Sequence, residues 1–194
     1  MAAPTVARAA AEEALLDAAE RLLRDEGYAA ITTRRVAAEA GVNHGLVHYY
    51  FGSVENLLVR VLERFTERLT ARQRAMYADP DIPFIDKWRL AMRYLVGDDV
   101  EYEKIWLELQ ALAWNHPELR DRVAHVNAEW RSVLTEAFAG PRERYGIEMP
   151  LDALVSLVIT FNEGVILERA QGITTGHQEL LAWIDGWLEE REGR

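Results

Sequence analysis

Apolar residues along the chain recur at intervals of three and four, the spacing that places them on one face of an α-helix. Leu15, Ala18, Ala19, Leu22 and Leu23 open the pattern, and Gly27 stands where a left-handed C-terminal stop would follow. Leu58, Val61, Leu62, Phe65 and Leu69 repeat it, as do Ile85, Trp88, Met92 and Leu95. Tyr102, Ile105, Trp106, Leu109 and Leu112 carry it on, followed by Leu119, Val123, Val126, Trp130, Val133 and Ala137. Two more helices are predicted around residues 151–169 and 178–190, the second opened by a capping box in Thr175-Gly176-His177-Gln178. Breaks are expected at Asp79-Pro80-Asp81-Ile82-Pro83, Gly97-Asp98-Asp99, His116-Pro117, Gly140-Pro141 and Gly172. No stretch alternates with the period of a strand, and no internal repeat stands out. The pattern predicts an all-α protein of about nine helices.

Residues 31–51 depart from the long-helix pattern. Thr32 can cap a helix that Gly41 ends, and Asn43 can cap a second that Gly52-Ser53 ends. Two helices of about two turns each, joined by a tight turn containing Gly, form the sequence pattern of a helix-turn-helix. Val36, Ala37, Ala40, Val42, Val47 and Phe51 supply its small core, with Ala37 and Ala40 small enough for a close crossing.

Composition narrows the function classes. The chain has 194 residues, 49% hydrophobic and 28% charged, which suits a folded globular protein rather than a disordered one. It contains no Cys, which excludes disulfides, a thiolate nucleophile and Cys-ligated metal, and fits a reducing cytoplasm. No apolar leader follows the first residues, and the apolar window 151–167 is interrupted by Asp152, Ser156, Thr160, Asn162 and Glu163, so neither a signal peptide nor a membrane span is expected. The five His residues form no HExxH pair, and there is no phosphate loop or nucleophile elbow, so no catalytic residues, no cofactor and no metal are expected. His44 and His48 lie four apart on one helix, but no third ligand accompanies them.

The net charge of −10 argues against a nonspecific nucleic-acid coat. Residues 1–64 hold seven Arg and nine acids, a net of −2. Glu12, Glu13, Asp17, Glu20, Asp25 and Glu26 crowd the first helix and are expected to face solvent, whereas between residues 32 and 50 Arg34 and Arg35 face only Glu39. Any DNA contact is therefore expected to be narrow and local.

The run Thr32-Thr33-Arg34-Arg35-Val36-Ala37-Ala38-Glu39-Ala40-Gly41-Val42-Asn43-His44-Gly45-Leu46-Val47-His48-Tyr49-Tyr50-Phe51 resembles the tetracycline-repressor (TetR) family of transcriptional regulators. Gly27-Tyr28 before it and Ser53-Val54-Glu55-Asn56-Leu57-Leu58 after it extend the likeness, which is dense over roughly residues 10–65. The resemblance implies an N-terminal three-helix DNA-binding domain, 1–52, and a larger helical effector-binding and dimerisation domain, 53–194. Three positions depart from the family: Asn43 where Ser is commonest, His48 where a phosphate-contacting Tyr is usual, and Val54 for a frequent Lys. Asn43 caps as well as Ser. His48 can still donate a hydrogen bond, which protonation would strengthen.

By that resemblance the second helix of the motif enters the major groove, and its contact face carries Asn43, His44, Gly45, Leu46, His48 and Tyr49. His44 is expected to read a purine edge and Leu46 a thymine methyl, while Gly45 allows close approach and Tyr49 offers a hydroxyl to phosphate. Thr32 and Thr33 sit at a helix start that favours phosphate, with Arg34 beside them. Tyr50 and Phe51 are assigned to the core.

The resemblance further implies a homodimer on a palindromic operator with half-sites about 34–36 Å apart, released by a small effector. Repression is the family's default. Leu154, Leu157, Phe161, Gly164 and Val165, with Leu180, Ile184 and Trp187, are the candidate dimer interface, being more apolar surface than two terminal helices can bury. Trp88, Trp106, Trp114 and Trp130, with Gln110 and Asn162, are candidates to line a pocket for an apolar or aromatic effector; each can equally be core or surface. The alternative function is a helical adaptor that keeps the fold and acts through a protein partner.

Overall fold

The computed structural model describes residues 4–192, and the described residues form nine α-helices and no strand. They are α1 (Pro4–Glu26), α2 (Thr33–Glu39), α3 (Gly45–Phe51), α4 (Val54–Ala78), α5 (Phe84–Arg93), α6 (Val100–Asn115), α7 (Pro117–Arg144), α8 (Leu151–Ala170) and α9 (His177–Glu192). A short 3₁₀ turn, Tyr28–Ala30, leads into α2, and a π turn, Tyr94–Asp98, separates α5 from α6.

Most ends lie where the punctuation placed them, and two do not. α7 begins with Pro117, whose missing N–H costs nothing at a first helical position. It then runs through Gly140-Pro141 instead of stopping there. Pro141 falls in the last turn, where its ring removes one bond only, and the amide of Tyr145 still donates to its carbonyl at 2.9 Å. The capping box before α9 is also absent. Gly176 adopts φ +82°, outside the helical region, so Thr175 cannot flank the first turn with Gln178 inside it. His177 Nε2 instead meets Glu168 Oε2 at 2.6 Å.

The chain divides into two compact units, Met1–Phe65 with Ile105–Ala124, and Thr66–Lys104 with His125–Arg194. In the first unit Leu15, Leu16, Ala18 and Ala19 of α1 are buried, with Val36 and Ala37 of α2, Val47 of α3, and Leu57, Leu58, Val61 and Leu62 of α4. Polar contacts fix the long helices on one another. Arg64 of α4 bonds Glu13 through Nη1 at 2.9 Å, Asp17 through Nη2 at 2.9 Å and Glu20 through Nε at 2.6 Å. Burial opposes its charge, but the bonds to Glu20 and Asp17 outweigh that and raise its pKa. Glu13 and Asp17 are exposed, as expected, and Glu20 is half-buried; their spacing of four and three keeps all three within reach of Arg64. Arg122 of α7 grips Glu63 with Nε and Nη2, each at 2.8 Å, and reaches Asn56 Oδ1 at 3.2 Å.

The core of the second unit gathers Phe84, Ile85, Trp88 and Met92 of α5, Leu134 and Phe138 of α7 with Tyr145 just after it, Leu154, Val155 and Val158 of α8, and Leu188 of α9. Phe84 packs edge-on against Phe138 with ring centroids 5.4 Å apart. Arg89 of α5 holds Asp185 of α9 in a two-pronged pair at 2.7 and 2.8 Å. This unit also buries polar side chains: Thr66, Thr70 and Gln73 on α4, Lys87 on α5 and Glu103 on α6. Lys87 Nζ donates to the Tyr77 carbonyl at 2.8 Å. Burial pushes the Glu103 carboxyl up to about 6, against the pull of Arg169, whose Nη1 lies 3.8 Å away.

Two expectations follow. Arg64→Leu removes the cation shared by exposed Glu13 and Asp17 and half-buried Glu20 and should lower stability by about 1 kcal/mol, read from the urea midpoint; an unchanged midpoint would show that the cluster contributes nothing. Glu103 has a folded pKa above its ordinary 4.5, so it imposes no penalty where both states are protonated and a growing one as pH rises through 6. Glu103→Gln should therefore stabilise the chain by about 1–2 kcal/mol near pH 8, with the gain fading by about pH 4, in melting curves taken across that range.

Candidate nucleic-acid interface

The motif is built from local bonds. Thr32 Oγ1 accepts from the Arg35 amide at 3.2 Å and so caps α2. Gly41 turns the chain with φ +67°, a conformation that side chains strain to adopt. Asn43 Oδ1 accepts from the Gly45 amide at 2.8 Å, and His44 already has helical angles, φ −58° and ψ −26°. A Cβ on Gly45 would sit 3.3 Å from that same Oδ1, so the glycine leaves room for the Asn43 cap.

At 100° per residue, His44, His48, Gly45 and Tyr49 occupy one arc of about 140° on α3. All four are exposed, and Val47 on the opposite side is fully buried. Leu46 is half-buried at the edge of that arc, and Tyr50 and Phe51 are half-buried rather than fully in the core. Asn43, Thr32 and Arg34 are exposed and Thr33 is half-buried. Among the described residues Arg34 has no ion-pair partner, whereas Arg35 pairs with Glu26 and Arg21 with Glu39 at 2.9 Å. Those pairs remove from the motif the only acid that faced it in sequence. His48 Nδ1 lies 2.9 Å from the Gly52 carbonyl, which can only accept, so the donor expected for phosphate is spent at the end of its own helix.

One residue of this face escaped the sequence reading. The guanidinium of Arg8, on α1, lies 5.5 Å from the ring centre of Tyr49 and 6.0 Å from that of Tyr50. Its only sequence signal is a lone cation ahead of the acidic stripe, which says nothing about α3.

The residues expected to line an effector pocket fall in both units. Trp88, Trp130 and Asn162 lie in the second unit, and Trp106, Gln110 and Trp114 in the first. Trp88 is packed into the apolar core, Trp106 is buried, and Trp114 is 82% exposed. Trp130 Nε1 donates to Tyr102 Oη at 2.6 Å, and Asn162 keeps a buried Oδ1 with no partner among the described residues. Sequence reading passed over Thr66, Thr70 and Gln73, whose i, i+4, i+7 spacing places a buried polar stripe on α4.

The candidate dimer residues divide by exposure. Leu154 and Val165 belong to the buried set, while Leu157 is 54% exposed, Leu180 is 43% exposed and Gly164 is also exposed. Phe161, Ile184 and Trp187 are half-buried. Trp183, not anticipated, is 68% exposed beside them on α9. No described helix is long and apolar enough to cross a membrane.

Comparison with known proteins agrees with this geometry. The signature of bacterial regulatory proteins of the tetR family matches residues 15–61. An HTH-type transcriptional regulator encoded in the dhlA 5′ region of Xanthobacter autotrophicus is 30% identical over 156 residues, 78% of this chain and 76% of that protein. Among solved structures, a transcriptional regulator from Rhodococcus sp. RHA1 matches with a TM-score of 0.77 at 22% identity, over 92% of this chain and 95% of that one. A regulator from Saccharomonospora viridis, solved in complex with choline, matches with a TM-score of 0.73 at 20% identity over the same shares. These relatives are transcriptional regulators, and the chain belongs to the TetR family of DNA-binding transcriptional regulators.

Proposed function

We propose that the protein is a ligand-responsive repressor in the cytoplasm that binds a palindromic operator as a homodimer and leaves it when a small apolar or aromatic effector binds. The exposed arc of His44, Gly45, His48 and Tyr49 on α3 carries this reading, flanked by Arg34 without an ion-pair partner among the described residues. In this reading residues 1–52 hold the operator and residues 53–194 hold the effector and the second subunit. Leu157, Leu180 and Trp183 support the dimer, since each leaves apolar area in water that a second copy would cover. The choline bound to the Saccharomonospora viridis protein supports a small-molecule effector here by analogy of fold.

An effector acts by favouring a conformation whose recognition helices miss the half-site spacing, and tenfold weaker operator binding takes about 1.4 kcal/mol of coupling. Few phosphate contacts are available, so the salt dependence should be shallow.

Fluorescence polarisation on duplexes selected from random sequence tests this directly. Tight, sequence-dependent binding is expected, and His44→Ala should abolish it. Each neutralised phosphate adds about −0.9 to the slope of log affinity against log salt, so a slope near −10 would overturn the narrow interface. Absence of any selected sequence would favour the protein-partner adaptor. Leu157→Glu should shift the sedimenting species from dimer to monomer while the chain stays folded, because Leu157 is already half in solvent; an unshifted dimer would place the interface elsewhere.

A further inference from the structure

The second unit buries acceptor atoms that the fold leaves unmatched. Oε1 of Gln73, Oε1 of Glu103 and Oδ1 of Asn162 are shielded from solvent and have no hydrogen-bond partner among the described residues. Gln73 and Glu103 are each only 6% exposed. An unmade hydrogen bond of this kind costs about 1–3 kcal/mol, and such groups call for a donor.

The charges show the same deficit. Asp99, Glu103 and Glu163 each have a pKa raised chiefly by burial. Arg72 answers Asp99 at 2.6 Å, and its guanidinium stacks 3.7 Å from the centre of the Tyr94 ring. Arg169 is loosely placed on Glu103 at 3.8 Å and donates at 2.8 Å to the Leu95 carbonyl instead. Glu163 has no ion pair among the described residues. Two guanidinium groups thus answer two of these three carboxylates, the second only at 3.8 Å.

Asp99, Tyr102, Glu103 and Glu163 are linked through their charges, Gln73 shares the α4 stripe of Thr66, and Asn162 precedes Glu163 on α8. Tyr102 Oη accepts from Trp130 Nε1 at 2.6 Å and lies 3.5 Å from Thr66 Oγ1, and it feels the charges of Asp99 and Glu163. Asp99 acts in turn on Glu103.

We propose that this unit binds a protonated amine through the acceptor oxygens of Gln73, Glu103 and Asn162, beside the Tyr102–Trp130 ring pair. The inference rests on the effector reading above and names the head group: an ammonium brings three donors, no acceptor and the missing positive charge. The aromatic pair favours a cation over a neutral group of the same shape.

Calorimetric titration of the full chain with n-hexylamine tests it, with n-hexanol as the same body lacking the charge. One hexylamine per chain is expected, with hexanol binding at least tenfold more weakly. Glu103→Gln should cut hexylamine affinity at least tenfold while its own melting temperature at pH 8 rises, which separates a lost site from a lost fold; Asn162→Leu should weaken binding likewise. Equal affinity for the two ligands, or undiminished hexylamine binding in Glu103→Gln, overturns the site. Hexylamine and hexanol are then each added to the complex with the selected duplex. Release by hexylamine supports site and effector together. Tight hexylamine binding that leaves operator affinity unchanged supports the amine site and overturns the effector reading. Release by hexanol and not by hexylamine keeps the effector reading and overturns the amine class.

Discussion

Three carboxylates on α1 that would repel one another are held together by one guanidinium from α4. Glu13, Asp17 and Glu20 occupy successive turns of one helical face, and Arg64 reaches all three. Few side chains can do this: a lysine offers one compact charge, whereas the planar fork of arginine distributes donors among separate acceptors. The contact sets the placement of α1 on α4 within the first unit. α2 packs on α1, and α3 packs on α2, so the placement of α1 is passed on to α3. Arg122 secures the same stretch of α4 from α7 through Glu63 and Asn56.

The same economy explains how a chain of net charge −10 keeps a usable face for DNA. The acids of the first unit are largely answered within it: three by Arg64, Glu39 by Arg21, Glu26 by Arg35 and Glu63 by Arg122. Net charge is a sum over the whole surface, while a groove senses only charges within about 10 Å at moderate salt. What matters locally is that Arg8 lies beside Tyr49 and Tyr50 of α3, that Arg34 on α2 has no ion pair among the described residues, and that Glu39 is already paired.

The helix-turn-helix was legible because its signals are local. Thr32, Gly41 and Asn43 act on backbone within three residues of themselves, and the fold realises each. Misreadings arose where a longer-range partner or a conformational detail decided. Nothing in the spacing of Glu13, Asp17 and Glu20 names Arg64, which pairs with all three while Glu13 and Asp17 stay exposed. Gly140-Pro141 looks like a break, yet a proline in a last turn removes too little to stop a helix. Thr175 matched the capping pattern, and only the positive φ of Gly176 removes it. The polar stripe of Thr66, Thr70 and Gln73 has a helical spacing, but polar side chains at that spacing usually face water, so the sequence does not mark them as buried.

The bond from His48 to the Gly52 carbonyl carries a further consequence. Because that oxygen can only accept, Nδ1 must hold the proton, and the neutral ring then turns the lone pair of Nε2 outward. A lone pair repels a phosphate oxygen and welcomes the amino group of a base or a bridging water. Where the family's tyrosine would offer a hydroxyl donor, a ring in this tautomer offers an acceptor instead. One intrahelical contact thus turns an apparent loss of grip into a change in the kind of atom that this corner of the recognition helix can meet.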